Sequence, residues 1–228
     1  HELDRKREYV KNAFRKCGIP DADVGEVLTG GEIKGYRNKA QYPVKIDKPN
    51  PRLASIIISQ YGGPDGELAA STRYLSQRFA TPYKEVAGLL TDIGTEELAH
   101  LEMVAAIVHQ LTRNLKDHQI QDSAFAPYFV DHTAGIYPTA ASGFPWSAAS
   151  SQSTGAVIAD LTEDLAAEQK ARKTYDNILR LSDDPDVNDV IKFLRQREIV
   201  HFQRFGEAIQ LLREKLDQRN VYRMNPAI

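Results

Sequence analysis

Glu67 lies thirty residues before the run Glu97-Leu98-Ala99-His100, and Glu168 lies thirty before Glu198-Ile199-Val200-His201. An acid and a histidine three residues apart share one face of a helix, so both can reach a single pocket. One such run is weak, because Glu and His suit any surface helix. Two runs, each trailing a lone glutamate by the same interval, are hard to obtain by chance. The chemistry that asks for this repeat is a dinuclear metal site in a helix bundle, where two helices supply a lone Glu and two supply a Glu-x-x-His pair. Glu67, Glu97, His100, Glu168, Glu198 and His201 offer hard oxygen and borderline nitrogen donors, suited to manganese or iron in the 2+ and 3+ states. With no thiolate in the set, an iron–sulfur cluster or a structural zinc site is disfavoured. Burying these acids without metal would leave unpaired charge in the core, at a cost of several kcal/mol.

The elements that must position these residues follow from the spacing. If each lone Glu is on one helix and each Glu-x-x-His on the next, an antiparallel hairpin must turn near the midpoint for the ligands to meet. The midpoints are Pro82, after Thr81, and Asp183, in Ser182-Asp183-Asp184-Pro185. Thr, Ser and Asp are helix caps and Pro suits a first helical turn. The ligands then lie level, roughly 20 Å from each turn at about 1.5 Å per residue. Tyr74 and Tyr175 each follow their lone Glu by seven residues, two turns along the same face. We read Tyr74 as a hydrogen-bond donor to the ligands and Tyr175 as a core aromatic. Glu96, rotated about 100° from Glu97, is expected in solvent, and His109, His118 and His132, without matching acids, are expected to be structural or exposed.

Elsewhere the pattern predicts a short amphipathic helix over Glu2–Cys17, a turn-rich Gly18–Gly35 and a short strand through Tyr42–Ile46. A helical pattern runs from Pro51 to about Phe79, with a break or a junction of two helices at Gly62-Gly63-Pro64-Asp65-Gly66. Long helices are expected over Tyr83–Asn114, Ile158–Leu181 and Val187–Gln218. Between them residues 115–154 hold Pro127, Pro138, Pro145 and six aromatics and resist a helix assignment. So long a connection must pack on something, its own bundle or another subunit. It is the crossover that ferritin-like bundles require.

The whole chain bounds the answer loosely. Its 228 residues carry a formal net charge of -2 with 42% hydrophobic residues, an ordinary globular composition with no basic excess to favour nucleic acid. The apolar runs are too short to span a bilayer. Cys17 is the single cysteine, so an intramolecular disulfide is impossible and a reducing cytoplasmic setting is the expectation.

Five segments carry a family resemblance: Gln41-Tyr42-Pro43-Val44-Lys45, Gln60 through Leu68, Thr91 through His100, Asp164 through Gln169, and Arg197 through His201. They resemble the manganese catalases, in the spore-coat, CotJC-like branch, over about residues 41–228. The resemblance implies an all-α, ferritin-like four-helix bundle with a long crossover loop and a small N-terminal appendage. It also implies a centre of two manganese ions that disproportionates hydrogen peroxide to water and dioxygen. By that resemblance Glu67, Glu97, His100, Glu168 and His201 are the metal ligands, Glu198 is the acid that carries protons beside the open position, and Tyr74 supports it. Peroxide turnover needs proton transfer in both halves, which a carboxylic acid near the site can supply. The family further implies a homo-oligomer, a hexamer, with other spore-coat proteins as possible partners and the cytoplasm or the spore coat as location. A di-iron oxidase or peroxidase on the same ligands, and a non-catalytic coat scaffold, are the alternatives. Residues 1–44, through Lys6–Phe14 and Gly35–Val44, resemble instead a fragment of the bacterial RNA uracil-C5 methyltransferases. The catalytic and cluster-binding cysteines of those enzymes have no counterpart here. The expected domains are therefore a non-functional segment 1–40 and a dimetal domain 41–228, with Lys34, Arg37 and Lys39 a solvated patch rather than an RNA site.

Overall fold

A computed structural model describes residues 45–133 and 135–218, together with 7, 8, 11, 12 and 15. The chain divides into two units, His1–Tyr42 and Pro43–Ile228. In the first, the described residues are helical, with a Glu8–Lys11 ion pair at 3.3 Å. The expected turn at Gly18–Gly35, Cys17, Lys34, Arg37 and Lys39 lie outside the described residues. So does most of the expected strand, and Lys45 and Ile46 are not in one.

The second unit is helical: α1 Pro51–Gly62, α2 Glu67–Gln77, α3 Lys84–Thr112, α4 Asp117–Gln121, α5 Ala126–His132, α6 Val157–Leu181 and α7 Pro185–Gln218. Among the described residues the one β feature is an isolated bridge between Thr139 and Pro145. No described helix is long and apolar enough to cross a membrane. Helix α1 starts where Asn50 Oδ1 accepts from Leu53 N at 3.0 Å and Pro51 occupies the first turn. It ends at Gly62, and α2 begins with Glu67, so the Gly-Pro-Asp-Gly run separates two helices. Both expected hairpin midpoints fall in connections. Asp184 Oδ1 caps α7 by accepting from Asp186 N and Val187 N at 3.0 and 3.3 Å. Thr81 Oγ1 accepts from Tyr83 N at 3.3 Å just before α3.

One seam explains how the helices pack. On α3 a buried seam runs through Val86, Leu90, Ile93, Glu97, His100, Val104, Ile107 and Leu111 in alternating steps of four and three, with Gly94 and Val108 buried beside it. On α7 Val187, Ile191, Leu194, Glu198, His201, Phe205, Ala208 and Leu212 are buried with the same steps. That 3.5-residue period is the packing rhythm of a helix bundle. The Glu and His of each run thus take two consecutive core positions in an otherwise apolar stripe. Two apolar clusters lie on either side of them. One joins Leu53, Ile57, Val104, Ile107, Leu111, Ile178, Ile191 and Leu194. The other joins Val86, Leu90, Ile93, Leu161, Phe205, Ile209 and Leu212. Because α3 runs from the second cluster to the first and α7 from the first to the second, the two helices are antiparallel. Arg197–Glu96, Arg204–Asp92 and Lys215–Glu85 ion pairs border them outside.

The 115–154 connection is more ordered than its composition suggests, since α4, α5 and a 3-10 turn at Ala148–Ser150 lie within it. Phe125 is buried, and Tyr128 and Phe129 pack beside it on this chain's own bundle, while Val130 and Phe144 are exposed. Leu98 and Phe79, which the apolar pattern includes, also face outward. The connection crosses α1 at Gly62, where a Cβ would fall 2.1 Å from Thr139 N and 2.2 Å from the Pro138 carbonyl carbon. Both are backbone atoms and cannot swing aside. Gly62→Ala is therefore expected to destabilise the protein by roughly 1–3 kcal/mol, read as a lower denaturant midpoint; an unchanged midpoint would contradict this crossing.

Candidate metal centre

The seams of α2, α3, α6 and α7 converge on one buried polar layer. Glu67, Glu97, His100, Glu168, Glu198 and His201 are each at most 2% exposed. Their donor atoms form two overlapping groups, Glu67-Glu97-His100-Glu198 and Glu97-Glu168-Glu198-His201, each with all atoms within 4.8 Å of one another. Glu97 and Glu198 belong to both groups. All six sequence-derived candidates are thus brought together. The two groups are built alike: a lone Glu and a His of their own, plus the two shared acids.

Glu97 sits between the imidazoles. Its Oε2 is 2.6 Å from His100 Nδ1 and its Oε1 is 2.6 Å from His201 Nδ1. Glu67 Oε2 lies 3.8 Å from His100 Nδ1, and Glu168 Oε2 lies 3.5 Å from His201 Nδ1. The rings stack with centroids 5.6 Å apart. Despite the short distance, Glu97 Oε1 and His201 Nδ1 are not aligned as a hydrogen bond, and Glu168 Oε2 and Glu198 Oε1 are likewise buried without hydrogen-bond partners. Several buried carboxylate oxygens converging without an aligned hydrogen-bond partner fit a cation, since leaving them unpaired would be costly.

Behind the rings stands a residue that sequence reasoning assigned to solvent. Glu96 approaches His100 Nε2 at 3.5 Å with one oxygen and His201 Nε2 at 3.2 Å with the other. It also accepts from Arg197 Nε and Nη2 at 2.6 and 3.2 Å. Glu96 precedes Glu97 as Arg197 precedes Glu198, so equivalent positions of the repeat carry opposite charges and pair with each other. A carboxylate near the outer imidazole nitrogens leaves Nδ1 for the metal side, although His201 Nε2 makes no hydrogen bond to it. The 100° rotation that suggested solvent turns Glu96 toward the interface of α3 with α7.

Tyr175 packs in the apolar core, as expected, but does more than fill it. Its hydroxyl donates to Glu67 Oε1, and the Tyr74 hydroxyl donates to Glu168 Oε1. Each hairpin supplies a tyrosine to the other hairpin's lone glutamate, a symmetry already present in the matching offset of seven. Burial and the neighbouring carboxylates push both phenols well above their usual range, so they remain donors. His109 and His118 are exposed, as expected, and His132 stacks on Tyr137 at 4.6 Å.

Without metal, the protons partition by environment. Burial, and then the charge of Glu97, raises Glu67 well above the carboxylate range. Burial, and then the charges of Glu168, Glu97 and Glu67, does the same to Glu198. Burial alone would raise Glu97, but the two imidazoles outweigh it and hold that acid low. Burial opposes charging the imidazoles, yet Glu97 and its neighbours raise His100 to about 10 and His201 to about 12.

A ferritin-like helical bundle with a carboxylate–histidine cluster able to hold metal is the class that this fold and site define. Within it, the family of manganese containing catalases matches residues 35–222, and the chain belongs to that family. It is 50% identical over 187 residues to Protein CotJC of Bacillus subtilis (strain 168), covering 82% of this chain and 98% of that protein. A probable manganese catalase of Clostridium acetobutylicum is 34% identical over 174 residues, covering 75% of this chain and 76% of the relative. The crystal structure of wild-type KatB, a manganese catalase from Anabaena, superposes with a TM-score of 0.71 at 32% identity, over 78% of this chain and 80% of KatB.

Two outcomes follow. Metal must displace protons from His100 and His201, so loading at neutral pH is expected to release about two protons or more, with affinity rising with pH. Titration calorimetry in buffers of different ionisation enthalpy measures this, and buffer-independent heats would contradict it. Glu96→Gln is expected to weaken metal retention against a chelator by roughly 10–100-fold.

Proposed function

We propose that this chain is a dinuclear manganese catalase that disproportionates hydrogen peroxide to water and dioxygen. The observation that carries the reading is the pair of overlapping donor groups sharing Glu97 and Glu198, in a chain that belongs to the manganese containing catalases. Glu67, Glu97, His100, Glu168 and His201 would hold the two metals, which supply reversible electron transfer to and from peroxide. The remaining work belongs to the protein. Glu198, fully within the core and a member of both donor groups, is the acid placed to hold a proton and pass it to and from peroxide oxygen. Tyr74 and Tyr175 pin one oxygen of Glu168 and Glu67, leaving the other oxygen of each free to bind metal. Glu96, held by Arg197, places negative charge behind both imidazoles. The apolar clusters above and below exclude bulk water from the layer.

Self-association suits the exposed Val130, Tyr137 and Phe144 of the connection, and the family resemblance favours a hexamer. The same resemblance favours the spore coat, with other coat proteins as partners, over a free cytoplasmic enzyme. We assign residues 1–40 no part in the chemistry.

Protein purified from manganese-supplemented cells is expected to hold about two manganese ions per chain and to evolve one dioxygen per two peroxides in an oxygen electrode. Iron in the site with no oxygen release would instead support the di-iron oxidase or peroxidase, and a manganese-loaded but inactive protein the coat scaffold. Glu198→Gln is expected to keep both metals and lose about 10²–10⁴-fold in kcat. Full turnover in that variant would remove Glu198 as proton carrier.

A further inference from the structure

Next to the six site residues lies a buried cation that the chemistry above does not use. Arg73, one residue before Tyr74 on α2, is 3% exposed. Its Nη2 donates to the Ser150 carbonyl at 3.2 Å, but Nε and Nη1 have no hydrogen-bond partner. The neighbouring acid does not take them up: Asp164, fully buried on α6, accepts from Gln77 Nε2 at 2.9 Å through Oδ1, and its Oδ2 has no partner. Arg73 and Asp164 interact through space.

A guanidinium is always charged and presents its donors in a fixed plane, so it cannot fold unmet N–H groups away as a lysine can. Buried donors of this kind call for an acceptor, and a negatively charged one is held most strongly. The space beside it is small, about 10 Å³, room for one water-sized group. Arg73 lines a narrow crevice with Glu67, Tyr74, Glu168 and Glu198, walled by the small side chains of Ala167 and Ala171. The guanidinium and the candidate metal centre therefore line one crevice. On the other side, Ser150 and Gln152 of the connection are tied to α2 by Arg73 and by Gln77 Nε2, at 3.3 Å to the Gln152 carbonyl.

We propose that Arg73 is an anion-docking residue at the mouth of the centre, receiving a small monovalent inorganic anion on Nε and Nη1. In turnover the same donors position peroxide beside Glu168 and Glu198 as negative charge develops on its oxygen. The anion site stands on the Arg73 geometry alone, whereas peroxide as its working occupant rests on the catalase reading.

Crystals of the full chain soaked in sodium bromide test the site directly. An anomalous bromide peak within hydrogen-bond distance of Nε and Nη1, absent from Arg73→Met crystals, is expected. No bromide at Arg73, at concentrations that fill surface sites, overturns the proposal, as does the same peak in Arg73→Met. If that variant does not fold, the wild-type soak decides alone. In solution, chloride-35 line broadening should be lost in Arg73→Met and partly restored in Arg73→Lys. Manganese-loaded Arg73→Met should show a KM for peroxide raised about tenfold or more, with metal content unchanged and kcat altered less. Unchanged KM with the bromide site lost overturns the peroxide role. Metal analysis is read separately: protein without manganese defeats the catalase reading and leaves the bromide result standing.

Discussion

Six ionisable side chains packed into one layer of a helical core dominate the physics of this protein. Each would cost several kcal/mol if buried charged and alone, and each is at most 2% exposed. The layer answers this with mutual compensation: Glu97 lies between two imidazoles, Glu96 stands behind them, and Glu67 and Glu198 keep their protons. A cation does the same job with more charge and better geometry. Metal binding and protonation are thus alternative solutions to one burial problem, which couples the fold to its chemistry.

The compensation works only across hairpins. Tyr74 of the first hairpin donates to Glu168 of the second, and Tyr175 of the second donates to Glu67 of the first. Glu96 and Arg197, equivalent positions of the repeat, pair between α3 and α7. The repeat is therefore symmetric where metal would be held and complementary where the halves must recognise each other. Either hairpin alone would expose its acids and leave its tyrosine without a partner. The two apolar clusters press the hairpins together on both sides of the layer, so the docking that buries the ligands also aligns them.

Much of this was legible beforehand because ligand spacing and helix geometry share a period. The thirty-residue interval implied hairpins with turns at Pro82 and Asp183, and both fall between helices. Glu67, Glu97, His100, Glu168, Glu198 and His201 were legible because the Glu-x-x-His run occurs twice, each time thirty residues after a lone glutamate. The errors share one cause. Glu96 and Tyr175 each sit at positions where a bland role suits the residue type, and the partners that decide their roles lie on other helices, 101 and 108 residues away. Short α4 and α5 escaped notice because proline and glycine in residues 115–154 masked helices of one to two turns stabilised by packing, as Phe125 shows.

Local periodicity and residue chemistry by themselves determined the helices, the pairing into hairpins and the identity of the polar layer, because these depend on intervals along one chain. The tertiary structure alone decided which hairpin serves which acid, that Glu96 faces two imidazoles rather than water, and that the connection crosses α1 at Gly62. Those outcomes depend on distances between elements remote in sequence, and no interval along the chain encodes them.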